Sequence, residues 1–428
     1  NLPWEILWGP DDHIWCTTRP GTVLRIDPIT GNYTTVLIRS VSGNGGNEPG
    51  MLGMAMHPDW ENNPKVFIVY NYTVGNSIRE RLSAFEWNGT ALINEEYLIN
   101  DIPGGWIHNG SRLIITPDQK LMMTTGDTGD GGTSSQNLNA LNGKTLRLNL
   151  DGSVPEDNPF PGSYVWSYGH RNAQGLCVGA NGIIYSSEHG QSNQDEFNII
   201  EPGRNYGWPT VQGFCNTPSE ITYCDANNVR EPLLEWNPCI AVNGIEYYNH
   251  PAIPEWQHCV LMAVLGGLSG NYKRLTVIHL SEDGFSATST HPADSFFSSF
   301  NQRLRDLCVN PYTGAVYIAF NGTSYPGSGP NVIKEFRNQD FVSVEEPKGG
   351  IQHLHLFPNP TRERITATFS ESFMGGTYEV VSYEGRQVKE GKIQQRSTDI
   401  SCTDLAPGSY YLRAMSKSGT ITRTFIIN

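Results

Sequence analysis

The chain has no long apolar run. Across its 428 residues the apolar stretches are short, and none nears the roughly 20 residues that a helix needs to span a bilayer. Long amphipathic helical patterns are absent too. Positive charge is scarce: 29 Lys and Arg face 43 Asp and Glu, for a formal net charge of −14. Nucleic acid and anionic membranes both demand a basic face, so neither is expected as a partner. A small anionic ligand stays compatible, because a few arginines in one pocket outweigh the global field locally. The cysteines Cys16, Cys177, Cys215, Cys224, Cys239, Cys259, Cys308 and Cys402 contain no C-x-x-C pair, which argues against a structural zinc site. Cys215 and Cys224 lie in a loop-like stretch where a disulfide would suit an exported protein. Cys177 and Cys308 fall in apolar strand patterns and read as buried thiols. No signal peptide is visible, and Asn1 already opens on fold-like sequence, as in a mature or trimmed form.

What is present is a recurring hairpin: an apolar strand, a turn with Pro, Asp, Asn or Gly, then a strand rich in Tyr, Val and Ile. Its turns fall at Asp11, Asp59, Asp118, Asn181, Ala252 and Tyr312, with spacings of 48, 59, 63, 71 and 60. Six irregular units of this size fit an all-β six-bladed propeller of four-stranded blades. A large β-sandwich is the alternative, but it would not repeat one hairpin six times at one scale. The pattern stops near Val332 to Phe336. The propeller is therefore expected over residues 1–341. Residues 342–352, with Glu345-Glu346-Pro347-Lys348-Gly349-Gly350, read as a linker. Residues 353–428 alternate in short strands and predict a small β-sandwich.

Several polar groups stand at strand mouths in different repeats. His108 precedes Asn109-Gly110-Ser111, a turn from which a ring can project. Histidine is the usual general base near neutral pH; a hydrogen-bonded loop histidine is the plainer reading. Arg171 sits between His170 and Asn172 in a turn. Arg303 and Arg305 alternate along a strand start and so share a face. Arginine's planar fork takes carboxylates in two-point contacts, so three such groups at one mouth suggest a ligand with several carboxylates. Alternatively, Arg305 pairs structurally with Asp306 or with an acid of another blade. The polar loop Glu188 to Glu196 offers carbonyls and hard carboxylates that suit Ca²⁺, or is simply a solvated acidic loop.

Together these segments resemble the soluble quinoprotein glucose dehydrogenase family, also called glucose/sorbosone or aldose sugar dehydrogenases, over roughly residues 1–340. The marks run in order: Glu48-Pro49-Gly50-Met51-Leu52-Gly53-Met54; His108-Asn109-Gly110-Ser111-Arg112-Leu113; Leu141-Asn142-Gly143-Lys144; Gly169-His170-Arg171-Asn172; Ser187-Glu188-His189-Gly190; Asn205-Tyr206-Gly207-Trp208-Pro209; and Arg303-Leu304-Arg305-Asp306. The resemblance implies a six-bladed propeller that holds pyrroloquinoline quinone (PQQ) and Ca²⁺ at one end of its axis. It makes His108 the base that takes the C1 hydroxyl proton of an aldose while hydride passes to the quinone, giving the lactone. It sets Glu48 beside the quinone or substrate. Arg171 and Asn172 would polarise the quinone edge, Arg303 and Arg305 would bind cofactor carboxylates, and Lys273 is the nearest match to a cofactor-binding lysine. Carbonyls of Gly190 and Gln191 would bind the Ca²⁺ that touches PQQ, and Asp195, Glu196 and Tyr206 match a second, structural Ca²⁺ site. Two departures stand out. Ile107 precedes the base where some members have Asp, and Cys239 replaces a hydroxyl residue that can contact the cofactor.

The tail resembles the C-terminal sorting domain of the type IX secretion system, through Phe357-Pro358-Asn359-Pro360, Tyr383-Glu384-Gly385-Arg386 and Leu405-Ala406-Pro407-Gly408-Ser409-Tyr410-Tyr411. That implies export through the periplasm to the surface or medium, with the type IX machinery as partner. The leading expectation is a secreted PQQ- and Ca²⁺-dependent aldose dehydrogenase with an unidentified electron acceptor. Its rivals are a non-catalytic extracellular propeller that binds a protein or glycan, and a metal-dependent lactonase on a propeller.

Overall fold

Where both faces of a strand are buried, the apolar run becomes continuous and successive residues serve two cores. Cys259–Val264 is buried at every position. Val260 packs into one apolar cluster with Tyr185 and Phe197, while Leu261 packs into the next with Leu307 and Phe320. Val66 and Phe67 divide in the same way between the clusters around Trp15 and around Leu121. Each fully buried Val, Leu or Phe contributes about 1.5–3 kcal/mol. Outer strands are more open, as in Leu92–Pro103, where three of twelve positions are buried, two are intermediate and seven are exposed.

The computed structural model describes residues 2–43, 47–267, 270–325, 329–339, 341, 354–357, 359–383, 385–417 and 419–427. The expected linker at 342–352 lies outside the described residues. The chain divides into two compact units, Asn1–Phe341 and Val342–Asn428.

Among the described residues of the first unit there are six antiparallel sheets, five with four or more strands and the last with three. The innermost strands are Pro3–Trp8, Met51–Met56, Gly110–Ile115, Ala173–Val178, Val242–Tyr248 and Leu304–Val309. Each touches the next, and the sixth closes onto the first. The closure includes the Ile6 N–H donating to Asp306 Oδ2 at 2.7 Å and Asn321 Nδ2 donating to the Pro3 carbonyl at 3.1 Å. Each of the six marker turns joins an innermost strand to the second strand of its sheet. The α-helix Pro218–Ala226 is a surface insert with no buried residue, opened by a Thr217–Glu220 capping box. Cys215 and Cys224 are disulfide-bonded across it.

In the second unit a three-stranded and a four-stranded sheet share one apolar cluster that includes Ile365, Phe369, Val380, Leu412 and Phe425. Tyr410 is buried against Phe425, whereas Tyr383 is exposed.

Candidate active site

Because the inner strands converge, residues that start six different repeats meet at one end of the first unit. A cavity of about 360 Å³ is lined there by Trp4, Leu52, Gly110, Gln174, Ala241 and Arg305, one from each sheet. Glu48, His108, Arg171, Asn172, Gly190, Gln191, Asp195 and Arg303 line it too.

His108 is held in a fixed orientation. Asp127 Oδ1 accepts from its Nδ1 at 2.7 Å, which leaves Nε2 as the basic nitrogen. The other Asp127 oxygen accepts from Trp208 Nε1 at 2.9 Å, and the Gly129 N–H donates to Oδ1 at 2.9 Å. Burial opposes ionisation of Asp127, but these hydrogen bonds and the imidazole outweigh it and hold the carboxyl below its usual range. The backbone of His108 is fixed as well, its N–H donating to Glu48 Oε2 at 2.5 Å. Asn172 Oδ1 accepts the Gly110 N–H at 3.1 Å.

The arginines are arranged for an anion. Arg171 lies over the Trp208 ring and donates to the His189 carbonyl at 3.1 Å. Arg305 donates only to neutral oxygens, Gln174 Oε1 at 2.8 Å and Asn243 Oδ1 at 3.0 Å. Burial, then Arg19 and Arg303, push its pKa down to about 9. Burial lowers Arg303 too, with Tyr325 partly offsetting and Arg19 adding to it. The Nε of each of Arg171, Arg303 and Arg305 is buried with no hydrogen-bond acceptor among the described residues. Buried donors without acceptors are costly, so this donor set fits a ligand bearing several carboxylates. Asp306 does not pair with Arg305. It turns the other way, as strand neighbours do, and with Glu5 it holds the fully buried Arg112.

Gly190 and Gln191 line the cavity. At Gly190 a Cβ would meet the Asn193 carbonyl at 2.0 Å, so this tight loop needs glycine. The residues matched to a second cation site separate. Asp195 uses its carboxylate on the N–H groups of Gly190, Ile240 and Ala241 at 2.9, 2.7 and 2.6 Å. Glu196, its strand neighbour, points into a small recess with Glu188 and Tyr206. Burial first, and Glu188 next, push Glu196 up to about 8. The Tyr206 hydroxyl donates to the Ile199 carbonyl and accepts the Glu201 N–H, so its backbone carbonyl is the atom it can offer a cation. Among the described residues no three His, Cys, Asp or Glu side chains gather as a metal cluster.

Lys273 does not line the cavity. Its ammonium donates to the Thr323 carbonyl at 2.7 Å and to Asn301 Oδ1 at 3.1 Å. Cys239 does line it, and burial and the Asp195 carboxylate push its thiol up. Sequence reasoning missed the roles of Asp127, Glu188 and Trp208. Glu188 accepts from His170 Nδ1 at 2.8 Å and from the N–H groups of Arg171 and Asn172, fixing that turn. The available signal was an acid just beyond the strand Leu121–Thr125, whose Thr125 pairs with Gly110 beside the base.

Residues 1–325 match the glucose/sorbosone dehydrogenase family model. The chain belongs to the glucose/sorbosone dehydrogenase family. Its members named here are oxidoreductases. Quinoprotein glucose dehydrogenase B of Acinetobacter calcoaceticus is 37% identical over 245 residues, which is 50% of this chain and 51% of that protein; the match thus spans about half the length of that relative. Aldose sugar dehydrogenase YliI of Escherichia coli K12 is 26% identical over 75% of this chain and 88% of its own. The PQQ-bound aldose sugar dehydrogenase of Streptomyces coelicolor superposes with a TM-score of 0.65 at 31% identity, covering 78% of this chain and 93% of that one. Residues 355–428 match a secretion system C-terminal sorting domain. Among the described residues no helix is long and apolar enough to cross a membrane.

Proposed function

We propose that the first unit is a six-bladed propeller that oxidises aldoses at C1 to the lactone, with PQQ and Ca²⁺ bound in the cavity described above. The observation that carries this reading is that His108, oriented by Asp127, lines the same cavity as Arg171, Arg303 and Arg305, whose buried Nε atoms have no acceptor among the described residues. Arg171, Arg303 and Arg305 would hold the cofactor's carboxylates, and the carbonyls of Gly190 and Gln191 a Ca²⁺ beside it. Bound PQQ supplies the electron-pair acceptor. The protein's share is to bind the sugar, exclude water and take the C1 hydroxyl proton on His108 Nε2. Asp127 keeps Nδ1 protonated and stabilises the imidazolium that forms. Lys273 would join the cofactor only if its contacts to Asn301 and Thr323 were exchanged.

Residues 353–428 would form a sorting β-sandwich that directs export by the type IX machinery, through the periplasm, to the surface or medium, joined by a linker at 342–352. The lactonase alternative needs carboxylates that converge on one axial metal, and no such trio stands among the described residues. The test is dye-linked oxidation of aldoses by purified protein after PQQ and Ca²⁺ are added. Turnover that depends on both is expected; no turnover on any aldose, with PQQ shown to be bound, would overturn the reading.

A further inference from the structure

The turn that carries the base is buttressed from behind by a carboxyl that the proposed chemistry leaves unused. His108, Gly110 and Ser111 all have left-handed backbones, with φ of +54°, +66° and +71°. Two non-glycine residues in that region within four positions persist only where their surroundings over-determine them. On the cavity side Glu48 and Asn172 supply part of this. On the far side stands Glu80, on the strand Ser77–Trp87 of the second sheet and 1% exposed. Its Oε2 accepts from Ser111 Oγ at 2.6 Å, and that hydroxyl lies 3.1 Å from the Asn109 carbonyl. Asn71, directly opposite Glu80 in the ladder, reaches both Glu80 Oε2 at 3.4 Å and Asn109 Oδ1 at 3.3 Å. Asn109 in turn clasps Gly105 through its amide, accepting the N–H and donating to the carbonyl, both at 2.9 Å.

We propose that Glu80 is a positioning residue for His108: through Ser111 and the Asn71–Asn109 pair it sets the 108–111 turn so that the imidazole meets both Asp127 and the cavity. The inference rests on the reading of His108 as the base. Burial pushes Glu80 up to about 8, against the hydrogen bonds from Ser111 and Asn71, so near neutral pH the carboxyl is largely uncharged and glutamine is its near-isostere.

The experiment compares Glu80→Ala, Glu80→Gln, Ser111→Ala and the control Leu113→Ala, which opens the core from the same strand. In the apo proteins, labelled with ¹⁵N-histidine, the Nδ1–H signal of the His108–Asp127 bond is followed by NMR and assigned by its absence in His108→Gln. In the reconstituted proteins kcat, KM and PQQ affinity are measured. Glu80→Ala should shift or broaden that signal and lower kcat about tenfold or more, as misplaced groups do. KM and PQQ affinity should stay near the parent values. Glu80→Gln should restore both signal and kcat, and Ser111→Ala should follow Glu80→Ala. The proposal is overturned if Glu80→Ala keeps the parent signal and turnover. It is also overturned if Leu113→Ala, at a matched loss of melting temperature, reproduces the defect. Should Glu80→Ala fail to fold, Ser111→Ala decides by the same two readouts. If the parent has no sugar turnover the functional reading falls, whereas the His108 signal still decides the role of Glu80.

Discussion

In the proposed reaction His108 takes a proton from the sugar, and the hydrogen bond from its Nδ1 to Asp127 leaves Nε2 to accept it. Positioned proton transfer is worth about 10²–10⁴-fold, so His108→Ala should lower turnover by that order and leave PQQ titration unchanged. Parent-level oxidation by the reconstituted variant would remove the base assignment. Arg303 is a different case, because its guanidinium has a buried Nε without an acceptor among the described residues and lies over the Tyr325 ring. Charge-assisted hydrogen bonds contribute roughly 1.5–3 kcal/mol each. Arg303→Ala should therefore weaken PQQ binding about tenfold or more, with little change in apo melting temperature. A large fall in apo stability at unchanged PQQ affinity would make Arg303 a fold residue instead.

At the scale of elements, the informative pair is Glu188 and Glu196, directly opposite each other on neighbouring strands. Glu188 is compensated by His170 and two backbone N–H groups. Glu196 accepts from Asn198 Nδ2 at 2.9 Å and from the Gly213 N–H at 2.7 Å, but burial and Glu188 outweigh these and push it up to about 8. Its folded-state pKa lies above the ordinary 4.5, so between those values the native state holds the proton more tightly than the unfolded chain does. Stability consequently falls as pH rises through that window. Glu196→Gln should raise the apo melting temperature at pH ~9 and change it little at pH ~4, where both states are protonated; a gain of equal size at both pH values would refute this. If Ca²⁺ binds beside this strand, it stabilises by mass action. Added Ca²⁺ should then lift the parent's melting temperature, chelation should reverse the effect, and the gain should be smaller in Glu196→Gln. Metal analysis that finds no Ca²⁺, with melting indifferent to chelation, would count against the cation site.

For the molecule as a whole, the two units carry separate cores. The cavity is lined only from the first. Ending the chain after Phe341 should preserve the melting and the specific activity of the first unit, and should abolish surface delivery in the native host. Truncated protein that is folded but inactive on soluble sugar would make the tail part of the working enzyme.

Local chemistry was legible in the chain by itself. The six turns, the Asn-Gly-Ser turn after His108 and the polar loop from Glu188 to Glu196 are all dictated by residues within a few positions of one another. What the sequence could not decide was partnership between strands, within a sheet and across sheets. That Asp127 rather than a closer acid orients His108, and that Glu188 braces the Arg171 turn, follow from strand pairing within one sheet, which sets residues 19 and 17 positions apart side by side; that Arg112 rather than Arg305 takes Asp306 follows from ring closure across 194 positions. The same holds for Lys273: it is the nearest match in sequence to a cofactor-binding lysine, but its ammonium finds the Thr323 carbonyl and Asn301 instead. A flexible four-carbon stem can reach several acceptors, and only the packed loops around it determine which of them lie within range.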